Sequence, residues 1–168
     1  MINWAYYPAS SRPPDLARAV VSVFEAAAPH IESRKHQLDS NAVLSKVAPG
    51  LTAAGFRVEA GKKRTQRLNV PVLFGRNGKV EKSFDTDAWH EAEGFVLEVE
   101  AGRGVDNNQF LKDLFQACMM QGVRYAAIAV RNTYRGSDDF NTVGRFFDTL
   151  FASSRLRLPL EGVLVVGY

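Results

Sequence analysis

The chain has 168 residues, with 21 Lys and Arg, 18 Asp and Glu, one Cys and 46% hydrophobic residues. This length predicts one domain, residues 1–168, and the composition excludes a disordered chain and a disulfide-stabilised scaffold. No apolar run approaches the roughly 20 residues of a membrane-spanning helix, and the first residues lack a signal-peptide pattern. We therefore expect a cytoplasmic protein that does not contact a membrane.

The first third of the chain predicts two helices. Apolar residues recur at helical spacing after Asp15, which we expect to cap the first helix, and Pro29 is expected to end it. A second helix is predicted from the capping pair Ser40–Asn41 to a stop at Gly55. Pro49 lies inside this second pattern and predicts a kink or a break.

The middle of the chain predicts strands. Residues 70–74 and 79–84 flank Asn77–Gly78, a dipeptide that favours a tight hairpin turn. A short strand is expected before the hairpin at residues 56–59, and another after it at residues 95–100. His90 is placed at the tip of a hairpin and is expected to be exposed, with a ligand role at the acidic centre as the alternative.

The last third predicts alternating helices and strands. A helix over residues 107–121, capped by Asn107, leads to residues 125–130, an apolar run typical of a strand buried on both faces. A helix over residues 140–151 and a strand over residues 162–166 follow. The whole order predicts an α/β fold on the α+β border, with a mixed central sheet flanked by helices and a right-handed crossover after the strand at 95–100.

The charges are segregated into a basic segment followed by an acidic one. Two solvated hairpin edges would explain this pattern, and so would a phosphate-binding rim beside a cation site. The basic residues are Arg57, Lys62, Lys63, Arg64 and Arg67, and the acidic residues are Glu81, Asp85, Asp87, Glu91, Glu93, Glu98 and Glu100.

Two pairs of acids alternate with a period of two. On an extended chain Asp85 and Asp87 point to one face, and so do Glu98 and Glu100. If the two segments are neighbours in a sheet, four carboxylates crowd together, which is costly unless a cation such as Mg²⁺ or Mn²⁺ offsets the charge. The alternatives are a solvated edge strand for the Glu pair and a turn or capping role for either Asp.

Asp87, followed eleven residues later by Glu98-Val99-Glu100 and then by Ala101–Gly102, resembles the PD-(D/E)XK nuclease superfamily, which has the restriction-endonuclease-like fold. The resemblance covers residues 41–131 and agrees with the predicted order of elements on both sides of the motif. It implies a metal-dependent DNA endonuclease. Asp87 and Glu98 would then bind Mg²⁺ or Mn²⁺.

The motif departs from the superfamily pattern at two positions. Thr86 stands where the superfamily has Pro, and Glu100 stands where it has Lys. A minority of restriction enzymes carry Glu there, and in other members the Lys has moved to the following helix, where Lys112 is the candidate; Lys62 and Lys63 are alternatives. Glu100 would accept a proton from the attacking water or hold a second metal ion.

The resemblance also implies outer residues and partners. A Glu from the first core helix often joins the site in this family, which points to Glu32 ahead of Glu25. Restriction enzymes commonly cut as dimers, so a homodimer is expected by analogy. The basic residues Lys62, Lys63, Arg64 and Arg67 would lie along the DNA backbone.

Other functions stay open at this point. The missing Lys favours a catalytically inactive relative that serves as a nucleic-acid-binding or protein-interaction subunit. A non-nuclease enzyme with carboxylate-bound Mg²⁺ is a weaker hypothesis. Arg131 and Arg135 could contact phosphates, although the segment around them has no nucleotide-loop pattern.

Overall fold

The structure is a computed structural model that describes residues 1–61, 66–102, 105 and 107–168. These residues form a six-stranded mixed sheet, a separate two-stranded sheet and four α-helices. The elements in chain order are β1 Asn3–Tyr7, α1 Asp15–Ile31, α2 Ser40–Ala53, β2 Arg57–Val58, β3 Leu68–Phe74, β4 Val80–Thr86, β5 Ala88–His90, β6 Phe95–Val99, α3 Gln109–Met119, β7 Tyr125–Val130, α4 Asp139–Ser153 and β8 Gly162–Gly167.

The large sheet has the strand order β1-β8-β7-β6-β5-β2. Its centre is parallel, because β6, β7 and β8 run in the same direction, whereas β1, β5 and β2 are antiparallel to their neighbours. The predicted mixed sheet flanked by helices is therefore confirmed. The parallel pairing of β6 with β7 through α3 also brings the carboxyl ends of the three central strands to one edge.

Both faces of the sheet are covered. Helices α1 and α2 pack on one face, which presents Phe95, Leu97 and Val99 of β6. Helices α3 and α4 and the β3–β4 hairpin cover the other face, which presents Val96 of β6 and Ile128 of β7. Full burial of each such side chain contributes about 1.5–3 kcal/mol. The alternation along β6 therefore decides which of its side chains reach α1 and which reach α3.

The predicted hairpin is the two-stranded sheet of β3 and β4. Asn77 and Gly78 have φ angles of 59° and 71° in its turn, the left-handed conformation that an Asn-Gly turn favours. Val70, near the start of β3, packs with Val96 and Ala117. The base of the hairpin is thus fixed on the face of the sheet that α3 covers.

Two strands were not predicted. β1 pairs with β8 along the edge of the sheet, and β5 joins β6 to β2. His90 does lie beside a hairpin turn, because it pairs with Phe95 at the end of the β5–β6 hairpin, but it is half-buried against the ring of Phe56 and not exposed as expected. Its Nδ1 accepts a hydrogen bond from the Glu93 amide at 3.2 Å.

The ends of α1 differ from prediction. The helix continues through Pro29 to Ile31, whose buried side chain belongs to the core. Asp15 is the first residue of the helix and forms an ion pair with Arg18, so it does not cap the free amides. Packing of the last turn outweighs the hydrogen bond that Pro29 cannot donate.

The other two predicted caps are also wrong. Asp39 caps α2 by accepting a hydrogen bond from the Ala42 amide at 2.8 Å, and the helix runs unbroken through Pro49. Asn108 precedes α3 in a left-handed conformation without a side-chain capping bond, in place of the expected Asn107.

In the described part of the chain, no helix combines the length and hydropathy that crossing a membrane demands.

Candidate functional site

The registers of three strands place three carboxylates in a row. Ala88 of β5 pairs with Leu97 of β6, so Asp87, just before β5, stands opposite Glu98. On its other side the Glu59 amide donates to the Asp87 carbonyl oxygen at 2.7 Å. Residues directly opposite each other in a sheet present their side chains to the same face. Glu59, Asp87 and Glu98 are therefore cross-strand neighbours.

The row borders a cavity of about 390 Å³ beneath α3. Glu98 and Glu100 alternate with Val99, which puts both acids on the face that α3 covers. The lining is dominated by acidic side chains. Its charged residues are Glu59, Lys82, Asp85, Asp87, Glu98, Glu100, Lys112 and Asp113.

Asp87 is held against the backbone of β6. Its Oδ2 accepts a hydrogen bond from the Val99 amide at 2.8 Å, so the side chain takes the place of a backbone acceptor where β5 has not yet begun. Thr86, just before it, is buried, and its hydroxyl group lies 3.3 Å from the Leu97 carbonyl oxygen. These bonds fix the Asp87 carboxylate beside Glu98.

Four of these acids have raised pKa values. Burial is the main cause in each case, and it raises the pKa of Asp87 to about 6 and that of Glu100 to about 8. Burial and then the charge of Asp87 raise the pKa of Glu98 well above its ordinary value, and burial raises that of Asp113. The cluster therefore holds protons near neutral pH unless another positive charge replaces them.

Asp113 contributes a buried oxygen without a partner. The residue lies on α3 and is 5% exposed. Its Oδ1 is 3.9 Å from Nζ of Lys112, and the carboxyl group of Glu100 is hydrogen-bonded to it. Within the described part of the chain, Oδ2 of Asp113 has no hydrogen-bond partner. A buried unpaired acceptor of this kind is uncommon and costly.

The structure brings the four predicted catalytic residues around one cavity. Asp87, Glu98 and Glu100 line it from the sheet, and Lys112 lines it from α3, the helix predicted to carry a relocated lysine. The Lys112 side chain is mostly exposed. It is therefore placed to face a ligand at the mouth of the cavity.

Two further predicted acids have other partners. Asp85 lines the cavity, but its carboxylate is bound by Arg67 at 2.7 Å and by Asn69 of β3. Glu32 is not among the residues that line the cavity, and its carboxylate pairs with the amino terminus at 2.5 Å and with Lys35 at 2.8 Å. The expectation that Glu32 joins this site is therefore corrected.

The predicted DNA-contacting residues are described only in part. Lys62, Lys63 and Arg64 lie outside the described residues. Arg67 precedes β3 and is exposed, and its guanidinium group pairs with Asp85 on the neighbouring strand. What the structure shows of Arg67 is thus a contact that ties the two strands of the hairpin together.

Sequence reasoning missed Glu59 and Asp113. Glu59 follows a strand of only two residues, too short for its pairing with β5 to be read from periodicity. Asp113 did leave a signal, because it lies three residues after Phe110 and four before Ala117 on the buried stripe of α3. An acid on such a stripe indicates a polar site beneath the helix.

The donor set fits a hard divalent cation by its chemistry. Carboxylate oxygens are the protein ligands that Mg²⁺ and Mn²⁺ prefer, and the unpaired Oδ2 of Asp113 is an available acceptor. In the arrangement seen here, no group of three or more Asp, Glu, His or Cys among the described residues is positioned to hold a metal ion. Side-chain rotation would thus have to accompany ion binding.

The chain was also compared with known proteins. No protein-family model matches its sequence, and no curated protein matches it significantly.

Proposed function

We propose that the protein is a metal-dependent DNA endonuclease that hydrolyses phosphodiester bonds at the acidic cavity. The observation that carries this proposal is the row of Glu59, Asp87 and Glu98 on three adjacent strands, facing Lys112 and Asp113 on α3. Such crowding of partly buried carboxylates costs stability. A site that binds a cation at these residues would explain why the cost is tolerated.

Mg²⁺ or Mn²⁺ is the proposed cofactor, with Asp87 and Glu98 as its principal ligands. Asp87 is already oriented by the Val99 amide, and Glu98 stands opposite it in the β5–β6 register. A bound divalent cation would supply Lewis-acid polarisation of a phosphoryl oxygen and would acidify nearby water. The resemblance of Asp87 and Glu98-Val99-Glu100 to the PD-(D/E)XK motif supports the same assignment.

Glu100 and Asp113 together can move a proton. Glu100 has a pKa of about 8 and is hydrogen-bonded to Asp113. A bound cation that displaces the Glu100 proton would leave the pair free to accept the proton that an attacking water releases. Lys112, whose Nζ is 3.9 Å from Oδ1 of Asp113, provides positive charge at the same place. It would stabilise negative charge on the phosphate, the task of the strand lysine in the superfamily.

A catalytically inactive relative is the second candidate. Glu100 in place of the strand lysine favours it, and so does the absence of a preformed ion-binding group among the described residues. Such a protein would serve as a nucleic-acid-binding or protein-interaction subunit. The two candidates share the fold and the cavity and differ in whether DNA is cut.

Two finer proposals come from the resemblance and the composition. A homodimer would bring two cavities to the two strands of DNA, as restriction enzymes do. A cytoplasmic location fits a chain whose single thiol, Cys118, is free and half-buried on α3.

The two candidates separate in a cleavage assay. Supercoiled plasmid is incubated with the protein and Mn²⁺, alongside the variant Glu98→Gln and the matched control Glu25→Gln, an exposed glutamate of α1. If the protein is an endonuclease, the wild type nicks the plasmid. The nicking rate of Glu98→Gln should then be lower by about 100-fold or more, and that of Glu25→Gln should equal the wild-type rate. If the wild type binds Mn²⁺ but leaves plasmid and single-stranded DNA intact, the inactive relative is the correct assignment.

A further inference from the structure

A second cavity, of about 590 Å³, lies beyond the carboxyl end of β7 and is basic. Three of its lining residues are Arg34, Arg131 and Arg135, and Tyr134 lies among them. None of the described residues that line it is an Asp or a Glu. We call it the arginine cavity. Three guanidinium groups without a carboxylate among the lining form a site of excess positive charge.

Arg131 is anchored and yet incompletely bonded. Its Nη2 donates to the Leu38 carbonyl oxygen at 2.5 Å, and its guanidinium group lies over the Tyr134 ring at 5.0 Å. Within the described part of the chain, its buried Nε has no hydrogen-bond partner. The Arg131 side chain is therefore held in place while one donor stays unused. A guanidinium group fixed beside a polar cavity is a feature that an anionic ligand can use.

The other two arginines border the same space from different elements. The Arg135 guanidinium group also lies over the Tyr134 ring, at 5.2 Å. A short turn holds it there, because Tyr134 and Ser137 exchange two backbone hydrogen bonds of 3.0 and 2.8 Å. Arg34 follows α1 and is exposed; hydrogen bonds from Asn141 are the main reason that the pKa of Asp138 is lowered, and the charge of Arg34 adds to this. Asp138 caps α4 and does not line the cavity.

The arginine cavity and the acidic cavity have no described lining residue in common, but contacts near the carboxyl end of β6 connect them. Arg131 interacts electrostatically with Tyr168, and the Tyr168 hydroxyl group donates to the Glu100 carbonyl oxygen at 2.8 Å. A Cβ on Gly102 would lie 2.9 Å from the Tyr134 ring, so the chain leaving Glu100 passes directly against this ring. The acidic strand end thus lies between the two cavities.

We infer that the arginine cavity binds a backbone phosphate of DNA. This inference rests on the proposed function, since it supplies the attraction for a polyanion that the acidic cavity lacks. Guanidinium groups pair with phosphate oxygens through two parallel hydrogen bonds and stay charged at any physiological pH. With one phosphate of the strand held by Arg34, Arg131 and Arg135, a neighbouring segment would run along the sheet edge toward Asp87 and Glu98.

The test measures DNA binding without metal. Fluorescence anisotropy of labelled duplex DNA in EDTA, over a series of salt concentrations, compares the wild type with the double variant Arg34→Gln/Arg135→Gln. Arg131 is kept because it bonds to the Leu38 carbonyl. The control is Arg155→Gln/Arg157→Gln, which removes the same amount of charge. These two residues are exposed and precede the amino end of β8, away from the carboxyl strand ends at the arginine cavity.

The inference predicts about a tenfold or greater loss of affinity for the Arg34/Arg135 variant and a decrease of about 1–2 in the slope of log K against log salt. The control pair should retain most of the affinity. Equal losses in the two variants, or no loss in either, would overturn the inference. Unchanged melting temperatures show that both variants are folded.

The outcomes also separate this inference from the proposed function. If plasmid cleavage depends on Glu98 but the Arg34/Arg135 variant binds DNA like the wild type, the endonuclease is supported and the arginine site is ruled out. If the Arg34/Arg135 variant loses metal-free DNA binding and the wild type cuts no DNA, the arginine site is supported and the endonuclease is ruled out. If inorganic phosphate binds the wild type without displacing DNA, the cavity is a free-anion site and the backbone assignment is overturned.

Discussion

Asp87 lies directly opposite Glu98 across the β5–β6 pair, and its carboxylate accepts a hydrogen bond from the next amide of β6, that of Val99, at 2.8 Å. Like charges opposite each other in a sheet are destabilising. Here they are also partly buried, and both pKa values are raised. The sheet therefore holds two carboxyl groups side by side in a fixed place, where a bound cation would offset their repulsion.

The stability of the metal-free protein should fall as pH rises. The pKa of Asp87 is about 6 and that of Glu100 about 8, both above their ordinary values. The folded chain thus binds more protons than the unfolded chain, so the stabilisation is complete at low pH and is lost as pH rises through these values. The free energy of unfolding in EDTA should decrease by a few kcal/mol between about pH 5 and about pH 8.5.

Urea denaturation at a series of pH values measures this decrease. Glu32 and Glu161 have pKa values lowered to about 2, so they affect stability only in more acidic solution and leave this window undisturbed. A free energy of unfolding that stays level or increases over the window would contradict the raised pKa values.

Removing the charge of Asp113 should stabilise the metal-free protein at high pH. Asp113→Asn keeps the shape of the side chain and eliminates a buried charge whose Oδ2 has no partner among the described residues. We expect a gain of about 1–3 kcal/mol at alkaline pH and little change in acid, where the carboxyl is protonated already. The same variant at the two pH values is its own control. A loss of stability at alkaline pH would show that the charged form of Asp113 is satisfied.

Divalent cations should stabilise the protein more strongly at high pH. A cation binds only to deprotonated carboxylates. The raised pKa values of Asp87, Glu98 and Glu100 move this deprotonation to higher pH. At 100 times its dissociation constant, Mn²⁺ should add about 2.7 kcal/mol. Thermal melting at about pH 6 and about pH 8.5 should show the larger shift at the higher pH.

The matched pair Glu98→Gln and Glu25→Gln controls this melting experiment. Glu98→Gln should abolish the shift, and Glu25→Gln, on the exposed side of α1, should leave it intact. A shift that is the same in both variants would place the cation elsewhere.

Lys112 should matter for cleavage and not for cation binding. Its side chain reaches the acidic cavity from α3 without being buried in it. Lys112→Met should lower the rate of cleavage by about 100-fold or more, because charge developing on the phosphate loses its partner. The affinity for Mn²⁺ should stay level or increase, since a repelling cation is removed. Lys46→Met, an exposed lysine of α2, is the control. Equal rates in the two variants would show that Lys112 does not replace the strand lysine.

The central part of the site was predictable because it depends on strand alternation. A period of two along β6 puts Glu98 and Glu100 on one face, and the apolar residues between them make this strand recognisable. Asp85 and Asp87 also line one cavity, but the alternation did not reveal that they belong to different sheets. The chain leaves β4 at Thr86 and enters the large sheet at Ala88, so Asp85 belongs to the hairpin and pairs across it with Asn69.

The parts that escaped prediction depend on tertiary contacts. β2 has two residues and β5 has three, too few to show a period, so the position of Glu59 beside Asp87 was hidden. The last turn of α1 persists beyond Pro29 because Ile31 is buried in the core. Arg131 and Arg34 line one cavity because the end of β7 lies beside the end of α1, a tertiary contact that the sequence does not reveal.

Whether the acidic cavity hydrolyses DNA is measured by the rate of plasmid nicking by Asp87→Asn relative to wild type in Mg²⁺ or Mn²⁺, with EDTA as the blank. Asp15→Asn, an exposed acid at the start of α1, is the matched control. We predict cation-dependent nicking by the wild type and by Asp15→Asn, and a decrease of about 100-fold or more in Asp87→Asn. Nicking that persists in Asp87→Asn, or a folded wild type that never nicks DNA, would show that the acidic cavity is not a nuclease site.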